Sequence, residues 1–98
     1  MKILSMPEIE EAVRSLLQKY NAESALLFGS YARGDANETS DIDLIVIGGP
    51  RFNRPNIFAF AEDLRAITDH DVDAFELSEV NIGTPFHEAI LREGVRIA

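Results

Sequence analysis

Apolar positions along the chain change their period several times, and each change marks an element. Ile9, Val13, Leu16, Leu17 and Tyr20 recur at helical spacing, which predicts a helix from Pro7 to about Lys19 with one apolar face. Ser5 followed three residues later by Glu8 fits a capping box, and Pro7 falls in the first turn, where its missing N–H costs little. Ala25–Phe28 is a continuous apolar run closed by Gly29, the pattern of a buried strand. Ser30–Arg33 can begin a short helix that Gly34 stops, and residues 34–40 form a polar, turn-rich loop. From Asp41 to Ile47 the chain alternates. A strand there sets Asp41, Asp43, Ile45 and Ile47 on one face and Ile42, Leu44 and Val46 on the other. Gly48-Gly49-Pro50 breaks that strand. Asn56 is expected to cap a helix through about Thr68, with Ile57, Phe60, Ala61, Leu64 and Ile67 facing inward. Val72–Leu77 predicts a third strand on which Asp73, Phe75 and Leu77 share a face. Thr84 and Pro85 open a last helix ending at Gly94, and Val95–Ile97 can add a short edge strand.

Strands alternating with helices predict an α/β class in two or three layers around a small sheet. The alternation leaves open whether all strands run parallel. Ninety-eight residues have room for one core, so residues 1–98 are expected to be a single domain. The chain has no cysteine, which excludes a disulfide framework and a thiolate metal site. No apolar run approaches the roughly 20 residues that span a bilayer. The opening MKIL passes at once into the acidic SMPEIEEAV, unlike a signal peptide. The expectation is a cytoplasmic protein without a membrane partner. The formal charge of −8 weighs against a nucleic-acid backbone as a direct ligand, because affinity there comes from basic groups that displace counterions. A small anion held by metal ions is compatible with it, since divalent cations supply the positive charge the chain lacks.

The residues that carry chemistry lie between Gly29 and Asp43, which read GSYARGDANETSDID. Aspartates at i and i+2 of a strand point the same way with backbones roughly 6–7 Å apart, so Asp41 and Asp43 can share a hard cation. A third carboxylate on an adjacent strand would complete a site for two metals about 3.5–4 Å apart, suited to in-line displacement at phosphorus. Asp73, between Val72 and Ala74, is the candidate. Gly29 lets the backbone approach a bulky anion, and the amides that open the following helix attract phosphate. Ser30 can add a hydroxyl donor, and Arg33 can contact phosphate or brace the acidic loop. Each part has an ordinary explanation: Gly-Ser as a turn, Asp-x-Asp as a strand cap, Asp73 as the partner of an arginine. Their conjunction does not. Gly-Ser-x10-Asp-x-Asp arises by chance in a chain this long roughly once in a thousand sequences.

These residues resemble the nucleotidyltransferase fold of the DNA polymerase beta superfamily. Within it they are most similar to the minimal nucleotidyltransferases found as antitoxins beside HEPN-domain toxins. Gly29-Ser30, Ala32-Arg33-Gly34, Ser40 and Asp41-Ile42-Asp43 carry the likeness, Asp73 matches the later strand aspartate, and it extends over nearly all of the chain. The resemblance implies a single α/β (α+β) domain with a small mixed sheet packed with helices. It implies that Asp41, Asp43 and Asp73 bind two Mg²⁺ ions, with Asp73 helping to activate the attacking hydroxyl. Gly29 and Ser30, with Arg33 nearby, would bind the nucleoside triphosphate. It implies transfer of AMP from ATP to a hydroxyl, that of a tyrosine, on a partner HEPN toxin. Two other functions stay open: a non-enzymatic antitoxin acting by occlusion, and an aminoglycoside-type nucleotidyltransferase whose acceptor pocket forms at a homodimer interface.

Other polar and aromatic residues have plainer explanations. His70, between Asp69 and Asp71, is expected at a helix end near its dipole. Asp71 shares a face with Asp73 but lies nearer the strand's start. His87 lacks a second ligand at metal spacing, and Phe52, Phe58, Phe60, Phe75 and Phe86 suit core or partner surface. Glu76 faces away from Asp73 and is expected to be structural or exposed. Arg51 and Arg54, after the second strand, could touch nucleotide or partner.

Overall fold

The computed structural model describes residues 3–98; residues 1 and 2 of the expected domain lie outside the described residues. Helix α1 runs Met6–Tyr20. The Ser5 side chain accepts from the Glu8 amide at 3.3 Å, and the helix ends on Asn21 in the left-handed conformation. Strand β1 (Ser24–Phe28) leads directly into the five-residue α2 (Gly29–Arg33), which Gly34 terminates at φ 80°. Strand β2 (Ile42–Ile47) is followed by α3 (Asn56–Thr68), β3 (Val72–Glu76), α4 (Pro85–Glu93) and the two-residue β4 (Val95–Arg96). Thr84 caps α4 by accepting from the His87 amide at 3.2 Å.

The four strands lie in the order β3-β2-β1-β4. β1 pairs antiparallel with β2 and with β4, while β2 and β3 run parallel, joined by the α3 crossover. The sheet is therefore mixed. On one face Ala25, Leu27, Ile42, Leu44, Val46 and Val72 join Ile9, Val13, Leu16 and Leu17 of α1 and Ile57, Phe60, Ala61 and Leu64 of α3 in one apolar cluster. Phe60 and Leu64 are wholly buried. Tyr20 and Lys19 of α1 both donate to Asp63 of α3, at 2.5 and 2.8 Å, joining the helices at their outer edge. The opposite face carries Phe28, Asp43, Asp73 and Phe75, and α4 covers part of it: the Phe86 ring meets Phe28 and Phe75 edge-on at 5.6 and 5.4 Å. Among the described residues no helix is long and apolar enough to cross a membrane.

Four local expectations need correction. Asp41 precedes β2 instead of opening it. Asn56 is the first helical residue of α3, with Pro55 at the cap position and no side-chain cap bond. Ile67 is 56% exposed and Thr68 is buried in its place. At about 100° per residue, position 68 returns to the azimuth of Ile57, whereas 67 falls a quarter-turn away. Leu77 leaves the strand and starts a 3-10 turn, Leu77–Glu79.

That turn is held by Glu76, which is buried. Its carboxylate accepts from the Gly48 amide at 3.2 Å and from the Ser78 amide at 2.7 Å, and the Ser78 hydroxyl bonds to it as well. Burial alone raises its pKa, but the bonds from Ser78 and Gly48 outweigh it and hold the carboxyl below its ordinary 4.5. A depressed pKa makes the charged form stabilising at neutral pH, and that contribution is lost as pH falls through the folded-state value. Glu76→Gln is expected to cost about 1–2 kcal/mol at pH 7, since two amide bonds lose their charge assistance. Denaturant melts should show the deficit shrinking once pH drops below 4.5.

Candidate active site

The site lies where β1 ends and β2 begins. Strand register places Phe28, Asp43 and Asp73 in one row across β1, β2 and β3, because Asp43 is the partner of both neighbours. Alternation then turns both carboxylates to the face away from α1 and α3. Asp43 is half-buried while Asp73 is exposed. Asp41 is exposed, one residue before the ladder.

Asp43 has an unusual titration. Burial, the charge of Asp73 and the charge of Asp41 raise its carboxyl from 3.8 to about 6, with Arg33 opposing and a hydrogen bond to Asp73 favouring the protonated form. The fold thus concentrates negative charge on one partly desolvated group. Among the described residues no three Asp, Glu or His side chains converge closely enough to form a metal-holding cluster. The expected set of three is therefore present as a cross-strand pair, Asp43 and Asp73, with Asp41 adding charge from outside the strand. This donor set still suits Mg²⁺, which takes few carboxylates and completes its shell with water and phosphate oxygens. A divalent cation would relieve the repulsion that raises Asp43.

Gly29 is pressed against Asp43 of this pair. Its φ is 72°, and a Cβ at that position would collide with the Asp43 carboxylate. Glycine is thus required twice over, by conformation and by space. Ser30 follows at the start of α2 and is half-buried. Arg33 lies at the end of α2 and pairs with Asp35 at 3.4 Å and Glu93 at 3.6 Å. Of its two expected roles, the geometry displays the bracing one.

His70 stands at the end of α3, just past its Asp69 cap, and is 3% exposed; its Nδ1 lies 3.2 Å from the Ser40 carbonyl and its ring meets Tyr31 edge-on at 6.0 Å. Only its position between a helix end and the Asp73 strand hinted at this. Arg51 lines an open groove of about 590 Å³ with Leu17, Gln18, Asn21, Ala22, Glu23 and Pro50, at the end of the sheet away from Asp43. Arg54 acts on Glu76, lowering its pKa through charge. Neither arginine joins the acids. His87 receives the Gly83 amide on Nδ1 at 3.3 Å, a local contact at the start of α4.

Known proteins resemble the chain in sequence and in fold. The family model described as "Polymerase beta, Nucleotidyltransferase" matches residues 11–98. A candidate protein adenylyltransferase of Methanocaldococcus jannaschii is 35% identical over 94 residues, covering 88% of this chain and 90% of its own. Among solved structures, a toxin–antitoxin crystal structure with AMP-PNP superposes with a TM-score of 0.77 at 25% identity, covering 91% of this chain and 72% of that one. A candidate minimal nucleotidyltransferase superposes at 0.75 with 27% identity, covering 94% and 95% of the two chains.

Proposed function

The chain belongs to the polymerase beta nucleotidyltransferase family, and from that premise we propose that it is a Mg²⁺-dependent protein adenylyltransferase. Its donor is ATP, and its acceptor is a tyrosine hydroxyl of a partner HEPN-domain toxin, for which it serves as antitoxin. The observation that carries this is the packing of Gly29 against Asp43, the register partner of Asp73, which would set an anion cradle beside a cation site. The adenylyltransferase relative and the toxin–antitoxin neighbour support the choice of a protein acceptor. Residues 1–98 work in this proposal as one domain, with the acceptor brought by the partner.

In the mechanism, the backbone at Gly29 and the Ser30 hydroxyl hold the triphosphate against the end of β1. Asp41, Asp43 and Asp73 would hold Mg²⁺, which supplies charge neutralisation at the phosphates and at the developing oxyanions. Asp73, the exposed member of the pair, takes the proton of the acceptor hydroxyl. The acceptor oxygen forms a bond to the α-phosphorus, the bond from that phosphorus to the bridging oxygen breaks, and pyrophosphate leaves with the electron pair. Asp43, kept partly desolvated on its strand, stays beside Asp73 throughout.

Incubation with ATP labelled at the α-phosphate, Mg²⁺ and the product of the neighbouring gene tests the proposal. Intact-mass measurement should show the partner gaining whole adenylyl units. No gain with the partner still inhibited would establish occlusion instead, and labelling of an aminoglycoside without any protein would establish a small-molecule acceptor. A binding prediction accompanies it: Mg²⁺ should raise the melting temperature at pH 7.5 and do so much less at pH 5, where Asp43, titrating at about 6, carries a proton. Equal shifts at both pH values would remove Asp43 from the cation site.

A further inference from the structure

We infer that His70 is a positioning residue: its buried imidazole ties together the three chain segments that carry the site, and through Ser40 it holds Asp41 in place. The catalytic consequence rests on the nucleotidyl-transfer proposal; the geometry does not. Ser40 immediately precedes Asp41, and its carbonyl oxygen lies 3.2 Å from His70 Nδ1. A carbonyl can only accept, so this bond requires the proton on Nδ1. Tyr31, next to Ser30 in α2, is 6% exposed and packs on the same ring at 6.0 Å with the planes 81° apart. His70 itself sits three residues before Asp73, and the carbonyl of neighbouring Asp71 accepts from the Ile42 amide at 2.9 Å.

The three aspartates depend on this ring to different degrees. Asp43 and Asp73 are fixed by strand pairing, each being the other's register partner. Asp41 lies before the ladder and has no such constraint. On one flank the Ile42 amide bonds to Asp71; on the other, Ser40 closes a local turn with Asn37 through its amide and hydroxyl, and its carbonyl bond to His70 ties that turn to the segment before β3. Removing the His70 bond therefore unties the 37–40 turn, and Asp41 with it, from the segment before β3 while leaving the Asp43–Asp73 pair in register.

A pair of substitutions separates this role from that of a core filler. His70→Asn keeps a donor close to the position of Nδ1 and loses the ring, whereas His70→Phe keeps a ring and loses the donor; His70→Leu replaces the latter where the phenyl group does not fit. Two quantities would be measured: amide hydrogen exchange at Ile42, with Leu44 and Ile45 as internal references, and Mn²⁺ binding by electron paramagnetic resonance with a non-hydrolysable ATP analogue. His70→Phe is expected to exchange Ile42 about tenfold faster and bind Mn²⁺ about tenfold more weakly, while His70→Asn stays within about twofold of the native protein in both. The references should not move. A reversed order, with Phe native-like and Asn impaired, or equal loss in both variants, would make His70 a core filler and overturn the inference. A native protein that binds no Mn²⁺ would overturn the nucleotidyl-transfer proposal instead, and the exchange contrast would then decide the positioning role alone.

Discussion

Replacing Asp43 by asparagine is expected to abolish nucleotidyl transfer and, at neutral pH, to make the free protein more stable. The loss follows from position: Asp43 is the central member of the row that also holds Asp73, and Gly29 abuts its carboxylate. Removing its charge should lower transfer by about a thousandfold or more, the scale expected when a metal-holding carboxylate is lost. The gain follows from its titration. Folding raises the Asp43 carboxyl from 3.8 to about 6 through burial and the charges of Asp73 and Asp41, so the ionised group disfavours the folded state. A raised carboxylate pKa costs nothing below 3.8, where both states are protonated. The cost grows between 3.8 and about 6 and is complete above that. The full shift would correspond to roughly 3 kcal/mol, and solvent screening of a group this exposed reduces it to about 1–2 kcal/mol. Denaturant titrations of the metal-free proteins should therefore coincide near pH 3.5 and separate by pH 7, with Asp43→Asn the more stable. An asparagine variant that is less stable at pH 7, or that still transfers AMP, would contradict this account of the site.

Gly29→Ala is the second large effect, and Gly34→Ala is its control. Both glycines have positive φ, 72° and 80°, so alanine is strained at either position by about 1 kcal/mol or somewhat more. They differ in their surroundings. A Cβ on Gly29 collides with the Asp43 carboxylate, whereas one on Gly34 has nothing within 4 Å. Gly29→Ala must shift Asp43 or the backbone that would hold phosphate, and is expected to lose roughly 2–3 kcal/mol of stability together with most activity. Gly34→Ala should lose only the strain and keep most of its activity. The informative measurement is the ratio of transfer rates at matched folded fractions. If the two variants lost activity equally, the close approach of Gly29 to Asp43 would have no functional meaning.

What the chain reveals before folding, and what it withholds, divides along a physical line. Helix caps and strand breaks were legible because they are local. Ser5, Thr84, Gly34 and Gly94 act within a few residues of themselves, and each stands where the spacing places it. The alternation from Ile42 to Ile47 likewise assigned Asp43 to the face opposite Leu44 and Val46, because a strand's period is intrinsic to its backbone. Ile67 shows the limit: an apolar residue near the helical stripe passed for core until the azimuth of Thr68 displaced it.

The sequence by itself determined which residues could carry the chemistry: the Gly-Ser step, Asp41, Asp43 and Asp73 were all identifiable from type and spacing. Only the tertiary structure decided how they combine. The parallel register of β2 with β3 makes Asp43 and Asp73 partners while Asp41 remains outside the ladder, a relation between segments thirty residues apart. The same packing buries His70 beneath the site and turns its donor toward Ser40. Local preference cannot specify these contacts, because a pKa near 6 or a buried imidazole depends on which distant groups the core brings alongside.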